Sequence, residues 1–429
     1  MGARRKTNAA TAKIGNVGTV MTHAITRRLL RPIATNDATI RRARRHLLRP
    51  TVTDDTTTRR LLRLLPARRP VTVITTENFN RNKIPSHARG EIFLQEKFFG
   101  GRIIGAKKVT LIEYRFLKLL SGLVCLLPLK FCLKVGRGLA GLIWIFLPAK
   151  RKRLATDNII RCLKVSGEEA RRIARESTIQ FGSIFMEVLS FPKLKGTMDS
   201  HVKVVGLEHL TRYKKSSERG AVIMTCHSDN WELMGGAFAQ NGIPLVGVAK
   251  KQRSEGADKF INEYRTLIGM HITYRSGVRE MYKMLDEGHF IGLIMDQDVG
   301  RVDGVVVKFF NQATNFVTGA ASMSRFRKVP IFPAFMHRNS DGTHTLEIFP
   351  PLQVEKTSDK HADIKLMTQR LAALIEEHVR KYPDEWFWLH DRWKSMRVEF
   401  EPREVRDFEK ILGIDNSRAD DFARERSGG

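Results

Sequence analysis

Cysteine is scarce in this chain. Its four residues, Cys125, Cys132, Cys162 and Cys226, show no C-x-x-C spacing and no partnered histidine cluster. That argues against a disulfide framework or a thiolate metal site and reads as reduced thiols in a cytosol-facing protein. No G-x-G-x-x-G follows an apolar run and no P-loop occurs, so nucleotide binding has no support. Long apolar runs are missing too. The longest charge-free stretches of the apolar region, Leu119–Leu129 and Gly138–Ala149, have 11 and 12 residues, short of the ~20 that a clean bilayer span needs. Acidic residues are outnumbered: 45 Asp and Glu face 74 Lys and Arg, for a formal net charge of +29. A surface of that sign selects anionic partners: nucleic acid, a phospholipid surface or an acidic carrier protein. No nucleic-acid-reading motif accompanies the charge, so a non-catalytic nucleic-acid-binding protein is only a remote alternative.

The charge is unevenly spread. Residues 1–100 hold 21 basic and 6 acidic side chains, +15 of the total. They are rich in Arg and Thr and poor in apolar periodicity. They are expected to be a disordered basic tail, or an extension from a start assigned too far upstream. A nucleic-acid- or membrane-binding arm and an Arg-rich transit peptide are the competing readings. Residues 108–150 are the most apolar part and are expected to form a membrane-associated helical segment. It would be one imperfect span with snorkelling lysines, or a pair of helices lying in the interface; a buried core hairpin is the bland alternative. Lys150-Arg151-Lys152-Arg153 follows directly. Such a cluster marks the cytoplasmic side and attracts anionic lipid. Residues 401–429 are highly charged, end in Ser-Gly-Gly, and are expected to fray.

Between these ends, residues 151–400 alternate in character. Apolar runs bounded by turns (HVKVVG, GAVIMTCH, IPLVGVAK, HITYRS, FIGLIMDQ, VPIFPAFMH, HTLEIFP) are separated by helical patterns such as GADKFINEYRTLIG and VREMYKMLDEG. This predicts an α/β fold, with a central sheet covered by helices on both faces. The run Ala221–Cys226 delivers His227 at a strand end, and Leu-Met-Gly-Gly-Ala after Glu232 opens a helix. A His and a carboxylate five positions apart across such a turn can fold back on each other. The carboxylate would then fix the imidazole tautomer and make the His a general base for a hydroxyl. Asp229 reads as a helix N-cap, and Cys226 as a buried small side chain.

His227, Asn230, Trp231 and Glu232 match His-x-x-Asn-Trp-Glu, and in this the chain resembles the lipid A biosynthesis (late) acyltransferases of the glycerolipid acyltransferase superfamily. The resemblance covers roughly residues 110–395. It includes RLATDNI at 153–159, YRTLIG at 264–269, MDQDVGR at 295–301 and WFWLHDRW at 386–393. It implies a mixed central sheet flanked by helices and an O-acyltransferase acting at the cytoplasmic face of the inner membrane. The donor would be acyl carrier protein and the acceptor a hydroxyl of an anionic lipid A precursor, with no cofactor and no metal. His227 would be the base and Glu232 its partner. Arg265 would meet the oxyanion or a substrate phosphate. Of the two acids Asp296 and Asp298, Asp298 aligns better with the family's functional acid. Asn230, Trp231, Lys250 and Arg275 complete the substrate-binding candidates, with Lys251 and Arg253 beside Lys250 as possible phosphate contacts. The aromatic block at 386–393 reads either as core packing or as an apolar, cationic lipid contact. Rival readings keep the chemistry and change the acceptor, to a phosphatidylinositol mannoside or to water.

Overall fold

The structure, a computed structural model, describes residues 103–414; the expectations for residues 1–100 and for the last fifteen residues lie outside the described residues. Helices α1 (Ile103–Leu126) and α2 (Leu129–Phe146) are separated at Pro128, and α3 (Ala149–Leu163) follows Pro148. Proline lacks the N–H that would continue a helix and biases the residue before it towards extended backbone. The axis bends by 105° between α2 and α3. Among the described residues no single helix is long and apolar enough to cross a membrane. α2 lies along α4 (Gly167–Leu189). A Cβ added at Gly136 would stand 2.4 Å from the Gly182 carbonyl oxygen, so only glycine lets these backbones approach so closely. One side of α1 and α2 packs inward through Val124, Cys132 and Ala140. The other side is open, with Leu119, Leu126, Ile143 and Phe146 between 61 and 80% exposed.

The sheet strands are β1 (Val202–Val205), β2 (Val222–Thr225), β3 (Leu245–Ala249), β4 (His271–Tyr274) and β5 (Phe290–Ile294). After a hairpin of β6 (Gly304–Phe309) and β7 (Gln312–Val317) come β8 (Ile331–Arg338) and β9 (His344–Ile348). The sheet order is β1-β9-β8-β2-β5-β3-β4. The five strands from β8 to β4 in that order are mutually parallel. β9 runs antiparallel to β8, and β1 is parallel to β9. The sheet is therefore mixed, as the resemblance implies. Helices α5 (Leu207–Ser216), α6 (Trp231–Gln240), α7 (Glu255–Leu267) and α8 (Val278–Asp286) follow β1 to β4 in turn. Then come α9 (Gly319–Arg327), α10 (Lys360–Lys381) and α11 (Pro402–Ile411).

β2 is buried at all four positions because both sheet faces are covered. Val222 and Met224 join Ile291 and Met295 in one core cluster, and Ile223 joins Leu245 and Phe290 in the other. That is the period of two expected of a strand. The charged stretch after residue 400 does not simply fray. Glu401 and Glu404 form a capping box on α11, Arg301 pairs with Glu404 at 2.7 Å, and Val405, Phe408 and Leu412 pack on Met396 and Phe400. Their i, i+3, i+7 spacing is the amphipathic helix signal, diluted by the surrounding charge.

Candidate active site

Parallel strands end together, and here that places two functional groups side by side. In the β2–β5 ladder Thr225 is in register with Ile294, and Met295 N–H donates to the Thr225 carbonyl. Two residues beyond each strand end, His227 faces Asp296. The His227 backbone N–H donates to Asp296 Oδ2 at 2.9 Å, and His227 Nδ1 lies 2.7 Å from Asp296 Oδ1. Trp386 Nε1 also donates to Oδ2, at 2.6 Å. An ionised carboxylate only accepts, so Nδ1 carries the hydrogen and Nε2 keeps its lone pair. Gln297 Nε2 approaches His227 Nε2 at 3.4 Å. Asp296 is buried, and burial alone would push its carboxyl up. The facing His227 ring, the His227 N–H and Trp386 outweigh that and hold it down at about 2.

His227 opens on a cleft of about 700 Å³ at the carboxyl ends of the parallel strands, where open α/β sheets bind ligands. Lys250 after β3 and Arg275 after β4 stand in the same cleft, with Trp231, Glu232 and Arg265. Four successive strand ends thus bring His227, Lys250, Arg275 and Asp296 to one side of the sheet. A narrower apolar slot of about 70 Å³ shares Trp231, Glu232, Arg265 and Ile294 with the cleft and runs on over the sheet to Met234 and Met270. Its floor is open because Gly247 of β3 and Gly292 of β5 are register partners.

A base on a cationic cleft beside an apolar slot suits transfer of an acyl chain. A family model described as bacterial lipid A biosynthesis acyltransferase matches residues 108–395. The chain belongs to that family. It is 24% identical over 280 residues to the lipid A biosynthesis lauroyltransferase of Escherichia coli, a match covering 64% of this chain and 88% of the relative. It is 26% identical over 227 residues to a phosphatidylinositol mannoside acyltransferase of Mycolicibacterium smegmatis, covering 52% and 72%. A solved 1-acyl-sn-glycerophosphate acyltransferase from Thermotoga maritima aligns over 64% of this chain and 99% of its own, at 13% identity and a TM-score of 0.28; that likeness is too remote to assign residues.

This acyltransferase departs from the residue roles expected of it in four places. The carboxylate on His227 is Asp296, not Glu232. Glu232 instead receives a fork from Arg265, with Nε to Oε2 at 2.7 Å and Nη2 to Oε1 at 2.5 Å, and Trp231 Nε1 adds a third donor at 3.2 Å. Glu232 and Arg265 are therefore one ion pair on the cleft wall. Asp298, favoured over Asp296 from the sequence, points away from the base. It accepts from Ser395 N–H and Oγ–H at 2.8 and 2.7 Å, and Arg392 Nη1 lies 3.5 Å off, so it anchors the C-terminal segment. Asn230 is fully buried. It caps α6 through Leu233 N–H and donates to Glu187 Oε2 at 2.8 Å, and it does not line the cleft. Asp229 is not the N-cap. It takes a left-handed φ of +46° and accepts from His344 Nδ1 at 2.5 Å, with Arg338 at 3.3 Å.

Trp231 does face the base, with ring centroids 4.9 Å apart and edge to face. Of the aromatic block, Trp388 and Trp393 are core, while Trp386 reaches Asp296. The acyltransferase also carries a buried cluster that the sequence hid: Glu187, Asp229, Arg338, His344 and Glu385. Among the described residues no group of three or more His, Cys, Asp or Glu side chains is placed to hold a metal ion.

Proposed function

We propose that this enzyme moves a fatty acyl chain from the thioester of acyl carrier protein to a hydroxyl of a lipid A precursor, with His227 as general base. The single observation that carries the reading is the Asp296–His227 pair, with Nε2 facing the cleft. The acceptor oxygen attacks the thioester carbonyl as its proton passes to Nε2. The tetrahedral intermediate then collapses, the thiolate leaves and takes that proton, and the products are an ester and a free thiol. Asp296 balances the imidazolium in between. Arg265, held by Glu232, supplies positive charge for the developing oxyanion. Lys250 and Arg275 suit acceptor phosphates as charge-assisted donors.

No cofactor enters this scheme. The basic surface suits both an acidic carrier protein and an anionic glycolipid. The open apolar side of α1–α2, followed by Lys150–Arg153, supports seating on the cytoplasmic face of the inner membrane. Assays with acyl carrier protein thioester should acylate a lipid A precursor, read by mass spectrometry of the lipid. The mycobacterial relative favours a second acceptor, so a phosphatidylinositol mannoside belongs in the same assay. Exclusive acylation of the mannoside would replace the lipid A reading, and free fatty acid alone would make the enzyme a thioesterase.

The apolar slot suits the end of the donor acyl chain. A Cβ at Gly292 would meet Leu245 Cδ1 at 3.3 Å and one at Gly247 would meet Met270 Cε at 3.0 Å, so larger side chains fill the slot from its floor. Each methylene excluded forfeits about 0.8 kcal/mol, about fourfold in affinity. Gly292→Val is therefore expected to shift kcat/KM towards shorter acyl donors, roughly fifteenfold for two methylenes. An unchanged chain-length profile would remove the slot from the mechanism.

A further inference from the structure

A second apolar groove, of about 290 Å³, lies between α2 and α4, away from the donor slot. Leu139 and Ile143 of α2 and Phe185 of α4 line it and are about half exposed, so it opens on the unpartnered apolar side of α2. Inside, it is walled by Thr178 and Phe181 of α4 and by Phe387. Its inner end leads to the base through aromatic contacts. Phe181 is 4.8 Å from Phe387 and 5.9 Å from Trp231, and Trp231 is 4.9 Å from His227. A cation stands beside it: Arg151, within the run Lys150–Arg153, donates to the carbonyl of Leu389, which also lines the groove.

From these contacts we infer that the α2–α4 groove receives one acyl chain of the anionic lipid acceptor and brings its headgroup hydroxyl towards His227. The inference rests on the acceptor being an acylated anionic glycolipid presented by a membrane. Three features select that occupant. The groove is continuous with an exposed apolar surface, it is flanked by positive charge, and its Phe181 wall contacts Trp231, the ring that packs on the base. A bilayer is as apolar as the groove, so the chain gains little by leaving the membrane. What the groove adds is position. An acceptor in the membrane counts as bound only once its chain is seated and its hydroxyl faces His227, so filling the groove makes seating rarer and raises KM, while an acceptor that does seat turns over as before.

The test uses the full chain in phosphatidylethanolamine vesicles that carry phosphatidylglycerol with a diazirine near the end of one acyl chain. Illumination should give adducts on Thr178 or Phe185, and unlabelled acylated acceptor should suppress them while leaving adducts on Leu126. Adducts confined to Leu119, Leu126 and Phe146 would overturn the inference; so would groove adducts that acceptor does not suppress, since the groove would then hold bulk lipid. Thr178→Phe, which fills the groove and gives up only a hydroxyl contact to Ala174, should raise KM for acylated acceptor about tenfold with kcat unchanged. An unmoved KM counts against the groove, and Leu139→Trp repeats the measurement if the first variant folds poorly. No transfer by the unmodified enzyme to any acylated glycolipid would overturn the preceding reading instead. The adduct pattern would then decide alone whether the groove admits a lipid chain.

Discussion

Asp296→Asn is expected to lower kcat for acyl transfer by roughly 10²–10⁴-fold, about as much as His227→Ala. The reason is the donor count around this side chain. One carboxylate oxygen accepts from His227 Nδ1, and the other accepts from two N–H groups, those of the His227 backbone and Trp386. An amide cannot satisfy that set. If its NH₂ faces the two N–H donors, three donors collide. If it faces Nδ1, the ring must carry its hydrogen on Nε2 and loses the lone pair that acts as base. KM should change little, because Asp296 is buried behind His227 and does not line the cleft. The low value of Asp296 adds a pH test. Its carboxylate is present above about 2 and is lost only as pH falls through that value, so an acid limb in kcat near neutrality cannot come from Asp296. Glu232→Gln, measured beside it, should disturb the Arg265 fork and lower kcat, by less than Asp296→Asn does, with little change in KM. If Glu232→Gln abolishes kcat while Asp296→Asn turns over normally, the base partner has been misassigned.

Glu187→Ala is expected to cost about 3–5 kcal/mol of folding stability, the usual penalty for breaking a buried ion pair from one side. Glu187 accepts from Arg338 at 2.5 and 2.9 Å, from His344 at 3.1 Å and from Asn230 at 2.8 Å, all away from water. Removing it leaves two cations with Asp229 as their nearest buried anion. Urea unfolding of the full chain measures the loss, and breaking the exposed Lys283–Glu287 pair should give no measurable change. A Glu187→Ala midpoint equal to that control would show that the cluster is not holding the fold.

The same cluster sets a pH dependence. Burial opposes a charge on His344, but Asp229 and Glu187 on its two nitrogens outweigh it and raise the ring from 6.5 to about 10. A raised histidine contributes fully below 6.5, and its contribution is lost as pH climbs towards 10. Glu385 is raised by burial and by the nearby Asp229 charge. A raised carboxyl also loses stability as pH rises. The urea midpoint should therefore begin to fall above pH 4.5 through Glu385 and continue to fall between 6.5 and about 10 through His344, with a flatter slope over that second range in His344→Gln.

Much of the scaffold was legible along the chain. The alternation of apolar runs and helical patterns identified the α/β sheet, and the short charge-free runs argued against a clean span. His227 was legible because it stands at the end of an apolar strand and opens a recognisable block. Asn230 and Asp229 were misread because both are small polar residues at a helix start, where either can cap. The choice depends on φ at 229 and on what lies beneath the turn, and beneath it lie Glu187, Arg338 and His344 from three distant elements. Asp298 was preferred to Asp296 by alignment. Yet Asp296 is the acid that stands two residues past β5, the same offset as His227 past β2.

That offset marks the boundary between what the sequence alone determined and what only the tertiary structure decided. Residue order was enough for the kind of chemistry: a histidine at a strand end, at a site with basic and apolar surroundings, in an acyltransferase block. It could not name the carboxylate, because the nearest acid in sequence is not the nearest in space. Parallel strands must be joined by long crossovers, so the neighbour of β2 is β5, and the partner of His227 arrives from 69 residues away. The other neighbour of β5 is β3, which pairs Gly247 with Gly292 beneath the slot. Glu232, five residues from His227, is left to hold Arg265 on the cleft wall.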